Sequence, residues 1–100
     1  MGLTHIDADV TNAVSIQRRV SFLVDSGAGY SLLPQEVWTA LSLCPTRVVT
    51  VALADGTKLT RPVSECRFRV QGIEGTSPVI LGEEGDEPLL GAVTLENLGL

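Results

Sequence analysis

Asp25 ends the apolar stretch Val20-Ser21-Phe22-Leu23-Val24 and is followed at once by Ser26, Gly27 and Ala28. A carboxylate that emerges from a core strand is costly unless it serves something, so its position marks it as a candidate functional acid. The competing reading is a turn aspartate that accepts backbone hydrogen bonds after a strand, and the bare Asp-Ser-Gly triplet does not separate the two. Few other residues compete for a chemical role. His5 alternates with Asp7 and Asp9 on what reads as an exposed strand face, and is not a catalytic base. Cys44 and Cys66 stand without a CxxC pattern or a nearby histidine, which leaves no structural zinc site and implies no metal or other cofactor. They could form a disulfide. Reduced, partly buried thiols fit better, because no leader-like segment is present, and this places the chain in the cytoplasm.

The elements that must position Asp25 belong to one domain spanning residues 1–100, since two cores would leave both too small. The chain is 44% hydrophobic and 19% charged, with one Trp, one Tyr and two Phe, so its core is built from aliphatic side chains. A net charge of −5, with seven basic residues scattered along the sequence, excludes the concentrated positive face that nucleic acid requires. No apolar stretch approaches the ~20 residues that span a bilayer, so no membrane partner is expected.

Ten glycines and five prolines, dispersed, favour short strands joined by turns. Ile6, Ala8 and Val10 alternate with polar residues, which predicts a first strand, and residues 20–24 read as a strand covered on both sides. Pro34 suits the first position of a short helix over 34–42, with Leu33, Val37 and Leu41 on its inner face. Trp38, beside Val37, belongs to the core or an interface; Tyr30 could border a pocket. Val49, Val51 and Leu53 then alternate into Asp55-Gly56, a type I′ hairpin signal, followed by a strand over 57–63. A further strand carries Cys66, Phe68 and Val70 on one face and the solvated Arg67 and Arg69 on the other, and Gly72 turns it towards Val79-Ile80-Leu81. An acidic loop over 82–88 and a closing helix with Val93, Leu95 and Leu98, stopped by Gly99, complete the pattern.

With those elements in place, Phe22-Leu23-Val24-Asp25-Ser26-Gly27-Ala28 resembles the active-site segment of retropepsin-like aspartic proteases. Leu89-Leu90-Gly91, followed by the helical stretch that starts at Ala92, resembles their late hydrophobic-hydrophobic-glycine motif, and Ala54-Asp55-Gly56-Thr57 lies where their flap hairpin falls. The Ala-Asp-Gly tip, the Gly-Glu-Glu-Gly-Asp loop and the ending Leu-Leu-Gly-Ala-Val-Thr-Leu-Glu look like small bacterial and archaeal members of the group. Viral members carry an Asp and an Arg where this chain has Gly29 and Ala92; both partners of that charge pair are absent together, so neither charge is left unpaired.

The resemblance implies an all-β fold: a retropepsin-like acid protease barrel, half of a pepsin-like fold, with one or two short helices. It implies an aspartic endopeptidase in which two carboxylates about 3 Å apart share one proton and activate a water. No second Asp-Ser/Thr-Gly exists in the chain, so the second Asp25 would come from a homodimer partner, with a peptide or protein as substrate. Ser26 would bond across the axis, Gly27 would permit close approach, and the flap residues Ala54, Asp55, Gly56 and Thr57 would cover the substrate. Asp55 itself reads first as a turn residue. Family members usually continue beyond the last helix into a strand that joins the dimer; here the N-terminal strand or residues beyond Leu100 would fill that role. Two alternatives stay open: a catalytically inactive retropepsin-fold module that binds peptide or dimerises, and an unrelated small β-barrel.

Overall fold

The computed structural model describes residues 4–12, 16–52 and 55–100. In chain order the elements are β1 (His5–Thr11), β2 (Gln17–Val24), β3 (Ser31–Leu33), α1 (Gln35–Ala40), β4 (Arg47–Ala52), β5 (Lys58–Val70), β6 (Ile73–Leu81), β7 (Leu89–Leu90) and α2 (Ala92–Asn97). The strands form one mixed sheet in the order β1-β2-β7-β3-β6-β5-β4, and β1 also pairs with β5. That last pairing, Asp9↔Arg69 to Thr11↔Arg67, closes the sheet on itself and removes most of its free edges. The all-β expectation, with two short helices, holds.

The β1–β2 hairpin turns Ala8, Val10, Val20 and Phe22 inward. Phe22 meets Phe68 of β5 with ring centroids 5.7 Å apart, and the surrounding core is aliphatic as the composition requires. Contrary to expectation, β2 is covered on one face only: Ser21 is exposed and Leu23 and Val24 are half-buried. Among the described residues neither helix makes extensive contact with β2.

Three local expectations change. Pro34 is the N-cap of α1 with an extended ψ of 160°, outside the helix; its carbonyl accepts the Val37 and Trp38 N–H groups at 3.0 and 3.2 Å. The helix ends early because Ser42 takes a φ of 56°. The stretch expected as two strands is one, β5, thirteen residues long; Pro62, with no N–H to give, sits one residue before the β6 pairing begins at Val63. The Asp55-Gly56 turn is not type I′. Gly56 has a φ of 88°, but Asp55 lacks the positive φ that a type I′ turn needs at its first position and instead accepts the Thr57 N–H at 2.9 Å. The two-residue turn with positive φ at both positions is Gln71-Gly72, at 51° and 84°, between Val70 and Ile73. Leu53 and Ala54 lie outside the described residues.

Val37 and Leu41 bury the inner face of α1, and the Trp38 indole N–H donates to the Gly82 carbonyl at 2.8 Å. Both cysteines are free thiols, Cys44 exposed and Cys66 buried. Burial pushes the Cys66 thiol up to about 12. Among the described residues no helix is long and apolar enough to cross a membrane.

Candidate active site

The parallel pairing of β2 with β7, Leu23↔Leu89 and Val24↔Leu90, delivers Asp25 to one end of the barrel. The backbone there is held from both sides. Leu23 N–H donates to Pro88 O at 3.0 Å, Val24 N–H to Thr4 O at 2.9 Å and Asp25 N–H to Leu90 O at 3.0 Å. Beyond Asp25 the chain turns sharply, with the Ala28 N–H on the Asp25 carbonyl at 3.1 Å. One carboxylate oxygen, Oδ1, accepts the Gly27 N–H at 3.0 Å, which is the job of an ordinary turn aspartate. The other, Oδ2, makes no hydrogen bond among the described residues, and neither does the exposed Ser26 hydroxyl. Asp25 is half-buried, and the Ser26-Gly27 tip faces outward. A Cβ on Gly27 would meet Asp25 Oδ1 at 3.3 Å, so glycine keeps space beside the carboxylate.

The loop that follows Asp25 caps α2. Gly91, the N-cap of that helix, offers no side chain; the Ala92 and Val93 N–H groups donate to Ala28 O and Gly29 O at 2.8 and 3.0 Å. So close is the approach that a Cβ on Gly91 would stand 2.5 Å from Tyr30 O and 2.9 Å from Gly29 O. Leu90 is fully buried. Asp25, Ser26, Gly27 and Ala28 thus meet Leu89, Leu90 and Gly91, the two segments that the sequence singled out.

Sequence reasoning missed a buried set of hydroxyls beneath this junction. Ser31 Oγ accepts the Gly91 N–H at 2.9 Å and lies 2.5 Å from Thr94 Oγ1, which lies 2.7 Å from Ser77 Oγ. All three residues are buried. The apolar spacing of Val93, Leu95 and Leu98 pointed to a different inner face of α2: Thr94 and Leu98 are buried, whereas Val93 and Leu95 are half-buried. A polar residue flanked by apolar ones in a short helix was the only available signal.

The hairpin tip stands apart. Asp55, Gly56 and Thr57 are exposed, and no hydrogen bond or ion pair joins them to Asp25 among the described residues. Bonds from the Thr57 backbone and then its side chain hold the Asp55 carboxyl below the usual aspartate range. The base of the hairpin is tied to the site instead. Arg47 Nη1 pairs with Glu65 at 3.2 Å, and bonds to Glu65 first and to Tyr30 second raise the Arg47 guanidinium above its ordinary value. A cavity of about 390 Å³ has walls from Leu32, Pro62, Leu81 and Leu89 together with the Arg61–Glu83 ion pair, 3.5 Å long. Leu32 and Leu89 are cross-strand partners, so β7 links this cavity directly to the Asp25 junction. No group of three or more potential metal ligands occurs among the described residues.

A closed mixed barrel in which one strand ends on Asp-Ser-Gly-Ala, braced by a hydrophobic-hydrophobic-glycine segment and a short helix, is the retropepsin-like aspartic protease fold. Residues 12–97 match the family described as "gag-polyprotein putative aspartyl protease", and the chain belongs to that family. Two solved viral structures share the fold. The protease of Simian Foamy Virus (mac), a solution structure, superposes with a TM-score of 0.67 at 18% identity, over 93% of this chain and 92% of that one. The EIAV protease complexed with the inhibitor HBY-793 gives 0.71 at 15% identity, over 98% of this chain and 89% of that one. No curated protein sequence matches.

Proposed function

We propose that this aspartyl protease family member is an endopeptidase whose active site forms when two copies bring their Asp25 side chains together across a two-fold axis. The observation that carries the reading is the state of Asp25: its backbone is clamped by Leu90, Oδ1 is held by Gly27, and Oδ2 makes no hydrogen bond among the described residues, beside an exposed loop. One chain supplies one such carboxylate, and an isologous dimer supplies the second opposite it. Two carboxylates at that separation hold a single proton. The ionised one takes a proton from water as the water attacks the peptide carbonyl, and the protonated one polarises that carbonyl. That Ser26 is exposed and unbonded among the described residues supports the reading that its hydroxyl bonds across the axis.

Asp55, Gly56 and Thr57, with Ala54, close over the substrate as a flap, whose tip turns at Gly56 with a φ of 88° that residues bearing a Cβ rarely adopt. The apolar walls at Leu32 and Leu89 support a preference for bulky apolar residues near the cleaved bond. Residues 1–100 act as one domain, and the two free thiols support a reducing, cytoplasmic setting. Sedimentation combined with a peptide-library assay between about pH 3 and 7 tests the proposal. A dimer that cleaves, and loses cleavage in Asp25→Asn with the dimer intact, is expected. A demonstrable dimer that cleaves nothing would leave only a binding or dimerisation module.

A further inference from the structure

The peptide group between Leu90 and Gly91 is one rigid plane with a carbonyl on one side and an N–H on the other. Its carbonyl accepts the Asp25 N–H at 3.0 Å, and its N–H donates to Ser31 Oγ at 2.9 Å. Whatever fixes Ser31 therefore fixes the plane on which Asp25 hangs. Ser31 itself is held by Thr94, and Thr94 by Ser77.

Proton counting gives this chain a direction. Each hydroxyl has one proton and can accept more than one. Ser77 Oγ donates to Pro78 O at 3.3 Å, which uses its proton. The 2.7 Å contact between Thr94 and Ser77 then needs the Thr94 proton, and the 2.5 Å contact between Ser31 and Thr94 needs the Ser31 proton. Every bond receives one proton and none is left over. In the opposite direction the Ser31 hydroxyl would accept from both Gly91 and Thr94, and its own proton would be buried without an acceptor, which the full burial of Ser31 makes costly. The relay thus runs from Gly91 N–H through Ser31, Thr94 and Ser77 to the Pro78 carbonyl, and bonds aligned head to tail strengthen one another.

Resting on the catalytic reading of Asp25 above, we propose that Thr94 is a positioning residue for that carboxylate. It sits at the centre of a one-way hydroxyl relay that orients the Leu90–Gly91 peptide plane. It touches neither substrate nor Asp25, and acts through Ser31 and Gly91. A hydroxyl is required at this position: valine matches threonine in shape but strands the proton of Ser31 and leaves the Ser77 oxygen without its donor.

Thr94→Val, Thr94→Ser and Ser77→Ala, compared with the intact chain, test this by amide hydrogen exchange and by peptide hydrolysis. In Thr94→Val the Asp25 and Gly91 amides are expected to exchange about tenfold faster while β5 amides keep their rates. With a cleavable peptide, kcat falls about tenfold and KM stays within about twofold, because ground-state binding is untouched. Thr94→Ser, which restores the hydroxyl, returns both quantities to within about twofold of the intact chain. Should Thr94→Val not fold, Ser77→Ala serves in its place, with about threefold effects on the same readouts, since it removes only the far end of the relay. Unchanged exchange at Asp25 and Gly91 in Thr94→Val or Ser77→Ala, or no rescue by Thr94→Ser, overturns the proposal. The exchange measurement needs no substrate. A chain that cleaves no peptide but loses protection at those two amides would therefore sink the protease reading and uphold the relay.

Discussion

Replacing Gly91 by alanine adds one methyl group at the tightest backbone crossing in the site. The residue has a φ of −94° and a ψ of 175°, which alanine adopts freely, so conformation alone would favour the change by about 0.4–1 kcal/mol through the unfolded chain. Sterics reverse the sign. The new Cβ would stand 2.5 Å from Tyr30 O and 2.6 Å from Tyr30 C, both backbone atoms that cannot rotate away. Relief requires moving α2 off the 28–31 loop, at an overpacking cost of about 1–3 kcal/mol. It also weakens the Ala92-to-Ala28 and Val93-to-Gly29 hydrogen bonds, each worth about 1 kcal/mol. The net expectation is a loss of about 2–4 kcal/mol, out of a total that is commonly about 5–15 kcal/mol. Urea unfolding at fixed protein concentration measures it, and the midpoint should fall by about 1–2 M. Gly29→Ala is the control, because a Cβ there meets nothing within 4 Å, and its change should stay within about 0.5 kcal/mol. If Gly91→Ala unfolded together with Gly29→Ala and the intact chain, the close crossing would not be what holds the loop to the helix.

The two thiols should separate sharply. Cys44, exposed, reacts with a disulfide reagent near pH 8 in the native protein, whereas Cys66, pushed up to about 12 by burial, reacts only after denaturant is added; two fast-reacting thiols would contradict the packing of β5. Because that folded value lies above the ordinary 9.0, the contribution of Cys66 is intact below pH 9.0 and is lost progressively as pH rises towards about 12; Cys66→Ser, with no comparable titration there, should flatten the alkaline slope. Asp55 shifts the opposite way. Its carboxyl should titrate below the usual 3.8, so the turn it closes with Thr57 is favoured above that pH and lost on acidification through the lowered value; an NMR midpoint at or above 3.8 would refute the bond.

What could be read from the sequence was what local pattern encodes. The alternation of Ile6, Ala8 and Val10, the apolar run into Asp25, and Leu89-Leu90-Gly91 before a helix each involve neighbours in the chain, and each element appears where expected. Turn chemistry was less reliable. Asp55-Gly56 has the better two-residue turn sequence, yet positive φ at both positions occurs at Gln71-Gly72, where β5 and β6 pair up to Val70↔Ile73. The two strands expected over 57–63 and around Cys66 to Val70 run together as one, and Pro62 is accommodated within it because β6 pairs only from the next residue onward. The Ser31, Thr94 and Ser77 cluster was invisible for a different reason. Its members are common residue types from three separated segments, brought together by the parallel register Ser31↔Val79 and by the docking of α2. Long-range register of that kind leaves no periodic trace in a single sequence.

The central claim, that each active site needs Asp25 from two chains, is tested most directly by mixing. Intact chain and Asp25→Asn are combined in varying ratios, dissociated, reassociated to random pairs, and assayed for peptide cleavage at constant total concentration. If both carboxylates are required, activity follows the square of the intact fraction, and an equal mixture retains about one-quarter of full activity. A linear dependence, with about one-half retained in the equal mixture, would mean that one chain's Asp25 suffices and would contradict the shared dyad.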